Sequence, residues 1–326
     1  MEYQDKFYSK ILFPYCQKNS IKTIIHLGDY FDNRKHINVE AINEDRRQFV
    51  DPCKRLEIEV IVLVGNHDVF YRNTNRVNSL KEILSQHSHF KIIEKPERIF
   101  NDILLIPWIN EENYEECCNA MANTSASICA GHFELAGFEM YKGIESRSGF
   151  NPKPLEKFSM VLSGHFHTKS TKGNIHYLGS QMEFTQADCG DPKYFHVLDM
   201  TTKKLEAIRN PITIFETYVY DSDKQQTSDF ERFREKFVKL VIVKNSDQRS
   251  FDKFVDNIQQ ASPHELRIYS HEEKETLQHD QQQQQTYVSD TKSVIYNYIE
   301  SRNTNLDKKY LKKIMTDLFQ EASIEE

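Results

Sequence analysis

Two histidines separated by one residue, His165 and His167, stand in a Gly-His-Phe-His turn directly after the apolar run at 160–162. At the end of a β-strand, such a turn directs two imidazoles into one cleft, and imidazole is the commonest side-chain ligand of catalytic metals. On spacing alone, an ordinary polar loop explains the pair equally well. The pair therefore indicates a metal site only if other ligands accompany it.

Three further motifs, each led by a glycine, follow short apolar runs with the character of β-strands. They are Gly28-Asp29-Tyr30-Phe31-Asp32, Gly65-Asn66-His67-Asp68 and Gly131-His132. In an α/β sheet the carboxyl ends of parallel strands meet at one edge, where such folds present ligands. Chance placement does not account for four strand ends of this kind. We therefore expect the four motifs to converge on one site.

The composition is that of a globular protein with one large domain and smaller appendages. Of its 326 residues, 38% are hydrophobic and 12% aromatic, which supports a packed core and excludes a disordered chain. The net charge of −7 gives no global signal of nucleic-acid binding, although a cleft loaded with metal carries its own positive charge. The six cysteines have no metal-ligand spacing. With no signal peptide and no apolar run of membrane length, the sequence predicts a cytoplasmic protein without a membrane partner.

Alternating strand and helix patterns predict an α/β fold. Residues 3–18 and 38–57 have helical character, and 78–87 form a short helix. The strand-like runs at 175–178 and 194–199 are expected to close the domain as antiparallel strands. Beyond residue 205, strand, helix and strand patterns predict a small β-α-β unit.

The four strand-end motifs resemble those of the calcineurin-like metallophosphoesterases. Four stretches of sequence further resemble one branch of this family, the phage recombination nuclease subunits related to bacterial SbcD. These stretches are Ile106-Pro107-Trp108, Gly131-His132-Phe133-Glu134-Leu135, Tyr141-Lys142-Gly143 and Ser163-Gly164-His165-Phe166-His167-Thr168. The resemblance extends from about residue 6 to the end of the chain. It implies a four-layer α-β-β-α sandwich with a small α+β cap domain and a C-terminal helix pair.

Four parts of the chain follow from the resemblance together with the composition. They are a nuclease domain at 1–204, an α+β capping and DNA-binding domain at 205–270, a Gln-rich linker at 271–290 and a helical partner-binding module at 291–326. The last part carries two amphipathic helix patterns with an apolar face. This face is expected to bind a partner, and docking on the chain's own domain is the alternative.

The resemblance also implies two divalent metal ions, manganese or else magnesium, that clamp a phosphodiester. Asp29 would bridge the two ions. Asn66, His132 and His165 would complete the site of one ion, and His167 would belong to the other.

Three neighbouring residues would assist the metals. His67 would face the scissile phosphate and stabilise its charge or protonate the leaving oxygen. Asp32 and Asp68 would orient the ligands.

One departure concerns the first strand of the family, which carries a D-x-H motif that supplies further ligands of the second metal. Here one helix precedes the strand that ends at Gly28-Asp29. We therefore expect a chain that begins late, through truncation, a misassigned start or a split gene. A weak second metal site and low activity would follow.

The leading functional hypothesis is a metal-dependent DNA exo/endonuclease subunit that acts in recombination and double-strand-break processing. The resemblance implies an SMC-like ATPase partner bound by the C-terminal helices, and a homodimer formed through helices near 38–56 and 76–87. Two alternatives stay open. One is a phosphoesterase for small or protein substrates, and the other is an assembly or regulatory subunit with weak or no activity.

Overall fold

The computed structural model describes residues 2–141, 144–146, 149–270 and 310. The chain separates into two compact units, Met1–Glu216 and Thr217–Glu326. The predicted linker at 271–290 and, apart from residue 310, the predicted helical module at 291–326 lie outside the described residues. The division into four parts stays a prediction. Among the described helices, none combines the length and the apolar character needed to cross a membrane.

Two large sheets make up most of the first unit. The smaller sheet has three parallel strands in the order β1-β2-β3, which are β1 (Thr23–His26), β2 (Glu59–Leu63) and β3 (Phe90–Ile93). The larger sheet has the order β10-β11-β9-β6-β5-β4. Its strands are β4 (Glu97–Ile99), β5 (Ile103–Ile106), β6 (Ile128–Gly131), β9 (Met160–Ser163), β10 (Ser170–Lys172) and β11 (Ile175–Tyr177).

Two antiparallel pairs of strands complete the sheets of this unit, namely β7 (Glu139–Tyr141) with β8 (Ile144–Glu145) and β12 (Lys193–Leu198) with β13 (Leu205–Asn210). The α-helices are α1 (Glu2–Phe7), α2 (Phe13–Lys18), α3 (Val39–Asp45), α4 (Asp51–Arg55), α5 (Ser79–Leu84) and α6 (Tyr114–Asn123). A π-helical turn joins α1 to α2 at Tyr8–Leu12, and a second joins α3 to α4 at Arg46–Val50.

Successive side chains of the central strands face opposite sides of each sheet, and this alternation separates the layers of the fold. In β2, Val60 and Val62 pack into a core that includes Phe7, Cys53 and Leu80 from the helices. Ile61 points the other way, because successive side chains of a strand face opposite sides of its sheet. It joins a core shared by both sheets, with members Leu63, Ile93, Ile103, Leu105, Ile128, Ala130 and Leu162.

The opposite face of the larger sheet is covered by α6. Leu104 and Ile106 of β5 pack with Cys117 and Met121 of that helix. Burial of each such side chain contributes about 1.5–3 kcal/mol. The order helix, sheet, sheet, helix confirms the predicted four-layer sandwich.

The predicted antiparallel direction of the strand near 175–178 holds against only one of its two neighbours. β11 runs parallel to β9 and antiparallel only to β10. The chain leaves β9, reverses into β10 and reverses again at Gly173 into β11, so that two reversals restore the original direction. The predicted antiparallel character holds for β12, which pairs with β13.

The second unit contains all but the first two residues of β14 (Phe215–Asp221), together with β15 (Phe237–Lys244), α7 (Gln248–Gln260) and β16 (Glu265–Ser270). Its sheet has the order β14-β15-β16, and β15 runs parallel to β16. The side chain of Asp247 accepts hydrogen bonds from the backbone amides at the start of α7, which fixes the helix beginning. This is the β-α-β arrangement that the sequence predicts.

Candidate metal centre

Two glycines allow the ends of β1 and β2 to approach each other. A side-chain carbon at Gly65 would lie 2.2 Å from the backbone nitrogen of Asp29 and 2.3 Å from its Oδ1 atom. At Gly28, whose φ is +94°, such a carbon would lie 2.4 Å from His132 Nδ1. Any larger residue would push the motifs apart, so both positions require glycine.

The side chains of four predicted ligands meet at these strand ends. His132 Nε2 lies 2.9 Å from Asn66 Oδ1, 3.1 Å from His165 Nδ1 and 3.2 Å from Asp29 Oδ2. His165 Nδ1 also lies 3.0 Å from Asn66 Oδ1. Among the described residues, Asp29, His132 and His165 form the group of histidine, cysteine and acidic side chains whose ligand atoms converge.

The chemistry of this donor set fits a divalent cation. His132 Nδ1 donates a hydrogen bond to the carbonyl oxygen of Leu27 at 2.7 Å, which leaves the lone pair of a neutral ring on Nε2. A metal-binding imidazole is held in the same way, through its second nitrogen. Nε2 then faces the oxygens of Asn66 and Asp29, which are also electron-pair donors. A cation between these atoms would replace their mutual repulsion with attraction.

Backbone strain accompanies two of these residues. Asp29 has a φ of 54° and His165 a φ of 76°, both in the left-handed region that non-glycine residues rarely occupy. Each such residue costs on the order of 1–3 kcal/mol, and this strain typically accumulates at functional sites.

The acid–base properties of the cluster follow from its burial and its charges. Burial opposes ionisation of Asp29, but the positive charge and hydrogen bond of His132 in its protonated form, together with His67, more than offset it, so that the pKa of Asp29 is lowered. Burial, together with the neighbouring His132, lowers the pKa of His165 to about 3. Asp29 is therefore a carboxylate and His165 a neutral imidazole near neutral pH, the forms that bind metal.

His67 stands next to the cluster and contacts it through its backbone. Its amide donates to Asp29 Oδ1 at 2.8 Å, and its ring Nδ1 donates to the backbone carbonyl of Asp32 at 2.6 Å. These bonds fix the orientation of the ring, and its Nε2 takes part in neither of them. Asp32 thus reaches the site through its carbonyl group, and the predicted catalytic role of His67 stays a prediction.

Asp68 is fully buried and joins the two strand-end loops. Its Oδ1 accepts from the amides of Tyr30 at 3.0 Å and Phe31 at 3.1 Å, and its Oδ2 accepts from Gly65 at 2.8 Å. Burial raises the pKa of this carboxyl to about 6. Asp68 therefore restrains the turns that carry Asp29 and Asn66, and its predicted role in orienting the ligands of a metal stays a prediction.

His167 lies outside this convergent group and contacts a buried ion-pair network. The Asp188 carboxylate lies 3.7 Å from His167 Nδ1. Lys193 Nζ lies 2.7 Å from Asp188 Oδ1 and 2.9 Å from Asp191 Oδ2, and it donates to the carbonyl oxygen of His167 at 3.0 Å. The network restrains both the backbone and the ring of His167. Sequence reasoning missed Asp188 and Lys193, because neither stands in a recognisable motif.

Trp108 forms one wall of the cluster. The centre of its ring lies 6.0 Å from that of His132 and 5.7 Å from that of His165. The side chains of Asn75 and Asn113 donate to its carbonyl oxygen at 3.0 and 2.9 Å, which holds the residue in place. The motif Ile106-Pro107-Trp108, which follows from the end of β5, marks this position in the sequence, although no role in the site was predicted for Trp108.

Comparisons with known proteins agree with this geometry. The profile of the calcineurin-like phosphoesterase family matches residues 7–169. Exonuclease subunit 1 of Enterobacteria phage T4 is 34% identical over 259 residues, which cover 78% of this chain and 74% of that protein. The SbcD subunit of the nuclease SbcCD from Escherichia coli (strain K12) is 21% identical over 247 residues, which cover 61% of this chain and 60% of that protein. The chain therefore belongs to the calcineurin-like phosphoesterase family, in the branch of phage recombination nucleases and SbcD.

Proposed function

We propose that this chain is the nuclease subunit of a complex and hydrolyses phosphodiester bonds of DNA in a metal-dependent reaction. The observation that carries the proposal is the convergence of Asp29, Asn66, His132 and His165 at strand ends of two facing sheets. Membership of a phosphoesterase family supports hydrolysis of a phosphate ester. The relatives named as an exonuclease subunit and a nuclease subunit support DNA as the substrate.

Different residues of the chain would bind the metal ions and act on the phosphate during hydrolysis. Asp29, Asn66, His132 and His165 would hold one divalent ion, and His167 with Asp29 would contribute to a second. Bound divalent ions supply positive charge for the phosphate and lower the pKa of the attacking water. The ring of His67, held at Asp32, donates a proton to the leaving oxygen or stabilises the phosphate charge.

Manganese is the proposed metal, with magnesium as the alternative. The donor set mixes imidazole nitrogens with carboxylate and amide oxygens. Magnesium binds mainly to oxygen ligands and keeps several waters, whereas a site rich in imidazole favours a transition metal.

We also propose that this subunit assembles with an ATPase and with a second copy of itself. The C-terminal residues 291–326 would bind an SMC-like ATPase, and the helical regions near 38–56 and 76–87 would form a homodimer. The naming of both relatives as subunits supports assembly with another protein.

Digestion of end-labelled linear duplex DNA with manganese tests the activity. We expect His67→Ala to reduce the rate by about a hundredfold or more, the contribution typical of a general acid. His176→Ala is the matched control, because His176 contacts Thr171 on the neighbouring strand, outside the cluster. Cleavage of p-nitrophenyl phosphate without cleavage of DNA would instead support a phosphatase for small substrates.

Calorimetric titration with manganese tests the site itself. We expect one clear binding event per chain that disappears in His132→Ala and persists in His176→Ala. Two equally tight events would contradict the expected weakness of the second site.

An assembly subunit of low activity is the second candidate function. The observation in its favour is that the described residues bring together one group of convergent ligands, which does not include His167. Manganese binding without DNA cleavage would favour this candidate over the nuclease.

A further inference from the structure

We propose that a basic and aromatic patch beside the metal centre binds single-stranded nucleic acid, with a base stacked on its rings and phosphates on its cations. The patch consists of Arg34 and Lys35 in the loop after β1 and of Phe70, Tyr71 and Arg72 in the loop after β2. The choice of nucleic acid as the ligand rests on the proposed function.

The two loops are fastened to each other and to the metal centre. They continue from the strand ends that carry Asp29 and Asn66. The hydrogen bond from His67 Nδ1 to the Asp32 carbonyl joins one loop to the other, and Asp68 accepts from backbone amides on both sides. The patch is therefore held close to the atoms that would act on the phosphate.

The aromatic half of the patch presents two large rings to solvent. Phe70 is 38% exposed and Tyr71 is 41% exposed, and their ring centres lie 4.8 Å apart at an interplanar angle of 75°. The amide of Phe70 donates to the carbonyl of Val77 at 2.9 Å, which anchors the loop beneath the rings. Exposed rings on an anchored loop form a stacking platform, and stacking on bases tolerates any sequence because every base has a π-face.

The cationic half surrounds these rings. Lys35 Nζ lies 5.9 Å from the centre of the Phe70 ring. Burial lowers the pKa of the Arg34 guanidinium, the like charge of Arg72 lowers it further, and the Asp29 carboxylate opposes the decrease. Within the described residues, neither arginine forms an ion pair with a carboxylate. An anion placed between them would relieve their repulsion, and a nucleic-acid phosphate is the anion that the neighbouring centre would process.

Aromatic rings beside cations select a single strand over a duplex. In a duplex the bases are stacked on one another, and their faces are exposed only at ends or where pairing is lost. The metal centre would then receive a strand whose terminal bases are unpaired. A protein surface that binds a second copy of the chain is the competing interpretation, and measurements of DNA binding and of oligomeric state separate the two.

Fluorescence anisotropy of the full chain in EDTA measures binding without cleavage. The probes are a labelled oligothymidine single strand and a blunt duplex of equal length. We expect the wild type to prefer the single strand. Tyr71→Ala is expected to weaken binding to the single strand about five- to a hundredfold, the range for loss of one stacked base, while Tyr71→Phe retains it. Phe100→Ala, at a ring that is 50% exposed elsewhere in the same unit, is the matched control.

The salt dependence of binding tests the contact with phosphate. Arg72→Ala is expected to lower the slope of log affinity against log salt concentration by about 1, whereas Arg55→Ala, an exposed arginine on α4, leaves the slope unchanged. Equal affinity of wild type and Tyr71→Ala, an equal loss on duplex and single strand, or a wild-type preference for duplex would overturn the proposal. So would a change in oligomeric state with unchanged DNA binding. A chain that binds as expected but never cleaves DNA with manganese refutes the proposed function and leaves this inference standing.

Discussion

Asp188 is a single buried carboxylate that restrains the predicted ligand His167. Lys193 neutralises one of its oxygens at 2.7 Å, and the other lies 3.7 Å from His167 Nδ1. A carboxylate already paired with an ammonium group is a poor ligand for a cation, whereas it is well suited to orient an imidazole. The geometry is therefore that of a carboxylate that orients the ring of His167, whose binding to a metal stays a prediction.

Replacing Asp188 with asparagine tests that role. We expect Asp188→Asn to reduce manganese-dependent cleavage about 10- to 100-fold, with the loss partly recovered at high manganese, because orientation of the ligand ring is impaired. The rate as a function of manganese concentration is the measurement. Asp191→Asn, which leaves the contact between Asp188 and His167 intact, is expected to retain most activity. An equal loss in both variants, insensitive to manganese, would indicate a general effect on stability.

Asp45 makes stability depend on pH. Burial raises the pKa of this carboxyl from 3.8 to about 6, although a hydrogen bond donated by Tyr30 Oη at 2.7 Å opposes the rise. A raised pKa in the folded state favours the protonated form. The contribution of Asp45 to stability is therefore fully present below about pH 4 and is lost as the pH rises through 6.

Thermal unfolding of Asp45→Asn at several pH values checks this dependence. Asparagine keeps an acceptor for Tyr30 and carries no charge to bury. The unfolding midpoint of the variant, relative to wild type, should therefore rise between about pH 4 and pH 7, by about 2–4 °C for each kcal/mol recovered. Glu40→Gln, exposed on the same helix, should show no such trend. A difference that is constant with pH would contradict the assignment.

Among individual residues, the sequence predicts which side chains converge in the metal-binding cluster. It does not predict the residues that restrain His167. Asp29, Asn66, His132 and His165 follow apolar strands, and parallel strands end at one sheet edge, so that their convergence could be expected. Asp188 ends the short 3-10 helix Gln186–Asp188 and its partner Lys193 begins β12, so that both belong to the segment that follows β11. Only the folded chain brings that segment to His167, and no local pattern encodes the contact.

The turn after β2 shows how one element controls the geometry of another. Gly65 is the position at which a side-chain carbon would overlap Asp29, at 2.2 Å from its backbone nitrogen. We expect Gly65→Ala to displace Asp29 and to abolish the manganese binding event measured by calorimetry, while the far-ultraviolet circular dichroism spectrum stays that of a folded protein.

Gly173→Ala separates displacement from general backbone strain. Gly173 has a positive φ of 61°, and an added carbon there would meet no atom within 4 Å. This variant should lose about 1–2 kcal/mol of stability through strain alone and bind manganese normally. If both variants bind manganese as wild type does, the close approach of Gly65 to Asp29 is not required for the site.

The spacing of hydrophobic residues predicts most helices and strands. It does not predict the π-helical turns or the direction of β11, which depend on how the elements pack. The π-helical turns at Tyr8–Leu12 and Arg46–Val50 interrupt regions whose spacing is ordinarily helical. Phe49 and Val50 of the second turn are buried in the same core as Phe7, and the extra residue in a π-turn changes which side chains face that core. The parallel direction of β11 likewise depends on two chain reversals that apolar spacing does not reveal.

At the scale of the whole molecule, charge is distributed unevenly. The chain carries a net charge of −7, yet Arg34, Lys35 and Arg72 stand beside the metal centre. A local positive patch of this kind would direct the proposed nucleic-acid substrate to one place despite the negative total charge. Total charge, which the sequence gives at once, does not reveal such a patch.

Apolar residues near the C-terminus are expected to recruit the partner protein. Leu311, Ile314, Leu318 and Phe319 recur at helical spacing after the glutamine run at 281–285. Burying each of these side chains contributes about 1.5–3 kcal/mol, so that four of them can support a complex after the costs of association. We expect deletion of 286–326 to abolish pull-down of an SMC-like ATPase while the thermal transition of the remaining chain changes little. A chain with Leu311 and Leu318 replaced by serine should behave as the deletion does, and one with Lys312 and Lys313 replaced by serine should still bind. A large loss of thermal stability on deletion would show instead that this apolar stripe packs against the chain's own domains.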